Sequence, residues 1–277
     1  SKAVEPASSS VLYRWDFSKG LKDVQSGLAL TLKSGAKIEG AALVLDGQGF
    51  ALSPPIVEKI REKTLEAWVQ LDGLGQKGSG IVTLQDLGGN QFDSIVFAEL
   101  GDRQWLAGSD NHRRTLPFDG LKEESGGAEP VHLAITFATD GTITGYRNGV
   151  RYGHPIKKTG AVVFDAGRSR IAIGIRHGTQ TSGGRMLRGK VFDVRLHNRA
   201  LGEDEVAASF AGQPVVSLAD VIAHLSDENK DQVSRLKKSI EQTGIELRGL
   251  EKIEPSLDPL ARVAHAIFNL KEFIYVQ

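Results

Sequence analysis

VHLAITFATDGTITGYRNGVRYG, residues 131–153, sets the architecture of this chain. Asp140-Gly141 separates ITFAT from TITGYR, and Asn148-Gly149 separates TGYR from VRYG. Both dipeptides tolerate the positive φ that a tight β-turn demands. Because the two turns fall eight residues apart, three short strands must run back and forth as a meander with little freedom of register. Outward from this meander the same grammar repeats. Short extended runs bounded by glycine or aspartate occupy 11–17, 28–32, 42–46, 64–71, 80–85, 93–100 and 104–108 upstream, then 161–164, 170–176 and 187–197 downstream. With 32 glycines and only 6% aromatic residues, the pattern predicts an all-β sandwich or barrel over residues 11–211. One helical insert is expected at 56–63 (IVEKIREK), after Pro54-Pro55.

The period changes near residue 202. Glu203, Asp204 and Glu205 precede Val206-Ala207-Ala208, which suits a short helix with acidic residues in its first turn. Farther on, Val233, Leu236, Ile240, Leu247 and Leu250 lie at helical spacing among Lys, Arg, Glu and Gln. A helical tail is therefore expected over 215–277, with helices near 217–225, 227–252 and 258–275 forming a C-terminal α-helical hairpin. Residues 1–10 (SKAVEPASSS) read as a disordered leader, and the start at Ser1 reads as a fragment or processed form of a longer protein.

Composition removes several classes of function. Positive and negative side chains number 34 each, which argues against a nucleic-acid partner. The absence of cysteine removes disulfides, thiolate metal sites, cysteine nucleophiles and c-type haem attachment. No apolar run reaches the length of a membrane span.

Three segments resemble one family. TLEAWVQL (64–71), the meander at 131–153 and LRGKVFDVRLHNRALGEDEV (187–206) are similar, in order and spacing, to the strands and closing helix of concanavalin A-like, laminin-G-like jelly rolls. That resemblance implies a jelly-roll sandwich and a glycan-related role. It also implies a structural calcium ion between an early loop and the closing strand, at positions matching Asp23 and Asp193, with Asp16 as a third ligand. Residues 262–276 resemble the closing signature of large planctomycete multidomain proteins, which implies a secreted or periplasmic bacterial setting. It also makes the other domains of a parent protein partners for the tail. No haem motif is present in this stretch.

Retaining glycoside hydrolysis uses two carboxylates about 5–5.5 Å apart, so acidic residues should alternate along one strand face. No strand shows this: Glu66 shares its face with Trp68 and Gln70, and Glu99 shares its face with Phe97 and Ile95. Gly73-Leu74-Gly75-Gln76-Lys77-Gly78 matches a dinucleotide fingerprint, but a strand follows where a helix is required. Arg176-His177-Gly178 copies a phosphatase triplet outside its α/β context. The seven histidines show no metal spacing, and His132 and His197 fit structural strand positions.

Sugar recognition commonly uses an aromatic ring beside polar side chains. Trp105, followed by Asp110, Asn111, His112 and Arg113, is the best match, with Arg176 and His177 as the opposite wall. The competing reading buries Trp105 in the core. An anionic polysaccharide would be gripped by Arg113, Arg114 and Arg176. The expected function is a non-catalytic carbohydrate-recognition module. The alternatives are an architectural or protein-interaction module and, behind it, a glycoside hydrolase on the same scaffold.

Overall fold

The computed structural model describes residues 11–158, 160–181, 183–215 and 227–253. The chain divides into two compact units, Ser1–Val216 and Ser217–Gln277. The first is a jelly-roll sandwich of two antiparallel sheets. Its larger sheet contains β1 (Val11–Asp16), β3 (Lys37–Glu39), β4 (Ala42–Asp46), β6 (Lys63–Leu71), β10 (Val131–Phe137), β11 (Thr142–Arg147), β12 (Val150–Arg151), β13 (Ile156–Lys157) and β15 (Arg188–His197). Their order is β12-β11-β10-β6-β15-β4-β3, with β1 also paired to β15 and β13 to β11. The smaller sheet holds β2 (Thr31–Lys33), β5 (Phe50–Leu52), β7 (Ser79–Asp86), β8 (Phe92–Phe97), β9 (Trp105–Ser109) and β14 (Ser169–Ile173), in the order β2-β5-β14-β7-β8-β9.

The meander forms in the expected register, with Phe137 opposite Ile143 and Arg147 opposite Val150. Asn148 and Gly149 both take positive φ, 51° and 78°, which matches the twist of the flanking strands. Strand alternation then divides inside from outside. Leu65, Ala67, Val69 and Leu71 of β6 are no more than 1% exposed and face the smaller sheet, each larger side chain contributing about 1.5–3 kcal/mol of burial. Glu66, Trp68 and Gln70 point the other way. In β15 a bulge at Phe192, between Val191 and Asp193, keeps Val191 and Val194 both inward although they are three residues apart.

The outward face of the larger sheet is roofed by α1 (Glu203–Phe210), which rests on Ala134, Tyr146 and Leu201 through Val206. The outward face of the smaller sheet is also covered. Phe50, Leu52 and Ala172 pack there beneath Ile175 and Met186 from the β14–β15 connection. Thr83 and Gln85 of β7 bond that connection at Arg176 O and Gly178. Gly80 permits the approach, because a Cβ there would lie 2.1 Å from Arg176 Cα.

Two sequence expectations fail. Residues 56–63 are not helical. Ile56 and Ile60 instead donate to Ser169 O and Phe164 O, and accept from Gly167 N and Phe164 N, so partners far along the same chain replace those of a helix. Both isoleucines are buried as a result. The run at 161–164 contributes one isolated bridge, Ile60 to Phe164, rather than a strand. The second unit contains α2 (Asp227–Ile253), close to the helix expected at 227–252. The leader at 1–10 and the helices expected at 217–225 and 258–275 lie outside the described residues.

Candidate functional site

Beside the covered face of the smaller sheet lies an open groove of about 310 Å³, lined by Lys77, Gly78, Ala98, Glu99, Arg176, Gly184 and Arg185. Three connections place the charged side chains. Lys77 precedes β7, Glu99 follows β8, and Arg176 and Arg185 lie on the β14–β15 connection, where Arg176 N donates to Arg185 O at 2.9 Å. Glu99 Oε1 receives Arg176 Nη1 and also His112 Nε2, the latter at 3.2 Å. Asn111 and His112 hold φ of 47° and 55°, and Ala98 holds 54°. Left-handed backbone costs about 1–3 kcal/mol at a residue with a Cβ, and three such residues flank the Glu99 contact. Lys77 and Arg185 have no acidic partner among the described residues, and the lining carries three permanent cations against one carboxylate.

The structure unites part of the sequence-predicted set and disperses the rest. His112 and Arg176 meet at Glu99. His177 lies behind the groove, stacked on Phe92 at 4.2 Å with Nδ1 3.0 Å from Gly89 O. Burial first, and then the Arg185 charge, lower its pKa from 6.5 to about 4. Asn111 and Arg113 are exposed at the loop tip.

Trp105 and Asp110 correct the expectation of a ligand rim. Trp105 is 2% exposed, packs on Phe97 at 4.6 Å, and donates its Nε1–H to Glu123 Oε2 at 2.8 Å, so neither ring face is open to a sugar. Asp110 turns inward to Arg114 Nη2 at 2.7 Å. Arg114, itself buried, reaches Asp93, which Lys63 Nζ approaches at 2.8 Å between the Phe137 and Phe164 rings. This ion cluster is sealed from solvent, and burial lowers the pKa of Lys63. Arg114 is therefore removed from the set of ligand-gripping arginines. Glu66, His132 and His197 prove structural: Glu66 accepts both imidazole Nε2–H groups, at 2.8 and 3.0 Å, and the Ser209 hydroxyl at 2.9 Å beneath α1.

The residues matched to a calcium site do not fit a cation. Asp23 accepts Arg14 N, Gln25 N, Ser26 N and Ser26 Oγ. Asp193 accepts the Arg14 guanidinium at 2.7 Å and Arg195 Nε at 3.0 Å. Asp16 accepts Ser18 N and Oγ, with Lys19 at 3.5 Å. Arg14 thus joins the early loop to the closing strand, its backbone bonding Asp23 and its side chain Asp193. Among the described residues no group of three potential ligands is arranged to hold a metal ion.

Glu99, Arg185 and Lys77 were missed as site residues. The strand that leads to Glu99 carries no second acid, which bears on hydrolysis and not on binding. Arg185 has no local signal, since only the folded connection brings it to Arg176.

A family model described as the concanavalin A-like lectin/glucanases superfamily, of laminin G type, matches residues 46–207. The chain belongs to this superfamily. No curated protein matches it. Among solved structures, this concanavalin A-like domain is similar to domain 4 of AbnA, an extracellular arabinanase from Geobacillus stearothermophilus in complex with arabinotriose. The identity is 18% and the TM-score 0.58, over 73% of this chain and 98% of that one. It is also similar to Trypanosoma rangeli sialidase in complex with 2,3-difluorosialic acid, at 21% identity and TM-score 0.54, covering 75% of this chain and 33% of that one. The binding domain of botulinum neurotoxin serotype D/C matches at 12% identity and TM-score 0.53, over 73% of this chain and 52% of that one. The chain thus spans about a third of the sialidase and half of the toxin domain. At these identities the likeness establishes the concanavalin A-like fold.

Proposed function

We propose that this domain is a non-catalytic glycan-recognition module whose ligand is a polysaccharide bearing acidic groups, seated in the groove at Glu99, Arg176 and Arg185. The observation that carries the reading is the charge of the groove: three cations and one carboxylate line a depression open to solvent. No aromatic ring lines the groove to compete with it. Trp15 and Trp105 are buried, and Trp68 lies between the Arg195 guanidinium and the His132 ring, each 4.4 Å away. Affinity must then come from hydrogen bonds and charge, which favour carboxylate or sulfate groups. Hydrolysis is disfavoured because Glu99 is the single acid lining the groove, and two are needed. The solved neighbours add support, since one holds arabinotriose and another a sialic acid derivative. An extracytoplasmic location, where polysaccharides are met, belongs to the same reading.

Affinity electrophoresis of the full chain through gels containing heparin, alginate or arabinan tests it. Retardation by the acidic polymers that is lost in Arg185→Ala is expected. No retardation by any polymer, or release of reducing sugar, would overturn the reading. A second reading, docking to other domains of a parent protein, is favoured by one feature: Leu236 and Ile240 are 57% and 72% exposed on α2. Tight binding to those domains without any glycan retention would select it.

A further inference from the structure

Resting on that reading, we propose that Glu99 occupies the anion seat of the groove until a ligand arrives, so that an acidic sugar binds by displacing it. The backbone on both sides of the seat is fixed. Ala98 donates to Gln104 O at 2.8 Å and accepts from Gly78 N at 3.2 Å, which anchors the residue before Glu99. Arg176 is pinned over Gly80, and its carbonyl accepts the Thr83 hydroxyl at 2.9 Å. What can move is the Glu99 side chain, held through Oε1 by Arg176 and His112.

The three cations are unequal. Arg176 is neutralised by Glu99, whereas Arg185 and Lys77 on the same lining have no counter-ion among the described residues. An incoming carboxylate or sulfate can meet Arg185 and Lys77 directly. It reaches Arg176, where the planar fork offers paired donors, only when Glu99 leaves. With Glu99 in place, ligand and protein anions are held in one groove and repel. A neutral sugar feels none of this. Glu99 is therefore a specificity-determining residue that sets how much negative charge a ligand must bring.

The test compares wild type, Glu99→Gln and Arg185→Ala for binding to heparin, alginate and arabinan by isothermal titration, with thermal unfolding as the control for folding. Glu99→Gln should bind the acidic polymers roughly three- to tenfold more tightly, with arabinan unchanged. Arg185→Ala should weaken the acidic polymers alone. If Glu99→Gln binds acidic polymers no more tightly while Arg185→Ala weakens them, the groove is the site but Glu99 contacts the sugar, and the displacement idea falls. If wild type and Glu99→Gln both bind nothing, the glycan reading itself falls. Binding by Glu99→Gln where wild type shows none supports displacement strongly. Should Glu99→Gln not fold, Glu99→Asp, with a shorter carboxylate, should show the same ranking at smaller amplitude, and its absence overturns the proposal.

Discussion

Replacing Glu123 by glutamine should cost this domain about 3 kcal/mol at pH 7, and the cost should fade in acid. Glu123 lies in the β9–β10 connection with a fully buried side chain. Its Oε2 accepts Trp105 Nε1 and Arg147 Nε, each at 2.8 Å. Its Oε1 accepts Arg147 Nη2 at 2.8 Å and the backbone N–H groups of Glu124, Ser125 and Gly126, each at 3.0 Å. Burial opposes the charge, but Arg147 and Trp105 outweigh it and lower the pKa from 4.5 to about 2. A difference of about 2.5 pH units corresponds to about 3 kcal/mol. Because the folded-state pKa is depressed, this stability is complete above pH about 4.5 and is lost as the pH falls toward 2. Glutamine retains one acceptor but turns an amide donor toward Trp105 or Arg147, so a donor faces a donor. For a domain of this size, about 3 kcal/mol lowers the melting temperature by about 6–12 °C. Thermal unfolding followed by circular dichroism, at steps from pH 7 to pH 3, measures the gap between wild type and variant. A gap below about 2 °C at pH 7, or one that stays constant down to pH 3, would refute the assignment.

Three further outcomes follow from the same geometry. Gly80→Ala should destabilise the sandwich by about 1–3 kcal/mol or more in denaturant titrations, because its Cβ has no room beside Arg176 and the covering connection must lift. His177 should titrate near pH 4 by NMR, being neutral at pH 7, and Arg185→Ala should move that midpoint upward by removing a neighbouring positive charge. Arg14→Ala should cost about 1–3 kcal/mol by removing the guanidinium from Asp193 while keeping the backbone bond to Asp23, whereas a chelator should leave the wild-type melting temperature unchanged; a fall on chelation would show a cation at these carboxylates.

Much of the fold could be read locally. The Asp140-Gly141 and Asn148-Gly149 turns set the register of β10 to β12 because positive φ is a property of single residues. The apolar alternation of β6 and the acidic start of α1 are likewise short-range features. The β-bulge at Phe192 was not legible, since it answers to Trp68 and Val69 on another strand. Nor was the loss of the helix at 56–63, whose backbone partners at 164–169 lie a hundred residues away.

The site was legible only in fragments. His112 and Arg176 could be named as groove residues because polar loops beside strand ends are where sandwiches present ligand contacts. Trp105 and Asp110 could not be assigned, since an indole or a carboxylate at a strand end can face either way. The buried partners Glu123 and Arg114 drew them inward. What the residues settle by themselves is the alternation of short strands and turns, because backbone preferences and side-chain period act over a few positions. What only folding settles is which charges meet. Arg14 between Asp23 and Asp193, and Glu99 between Arg176 and His112, join parts of the chain that no local rule connects, and their pairing depends on burial and distance in the assembled sandwich.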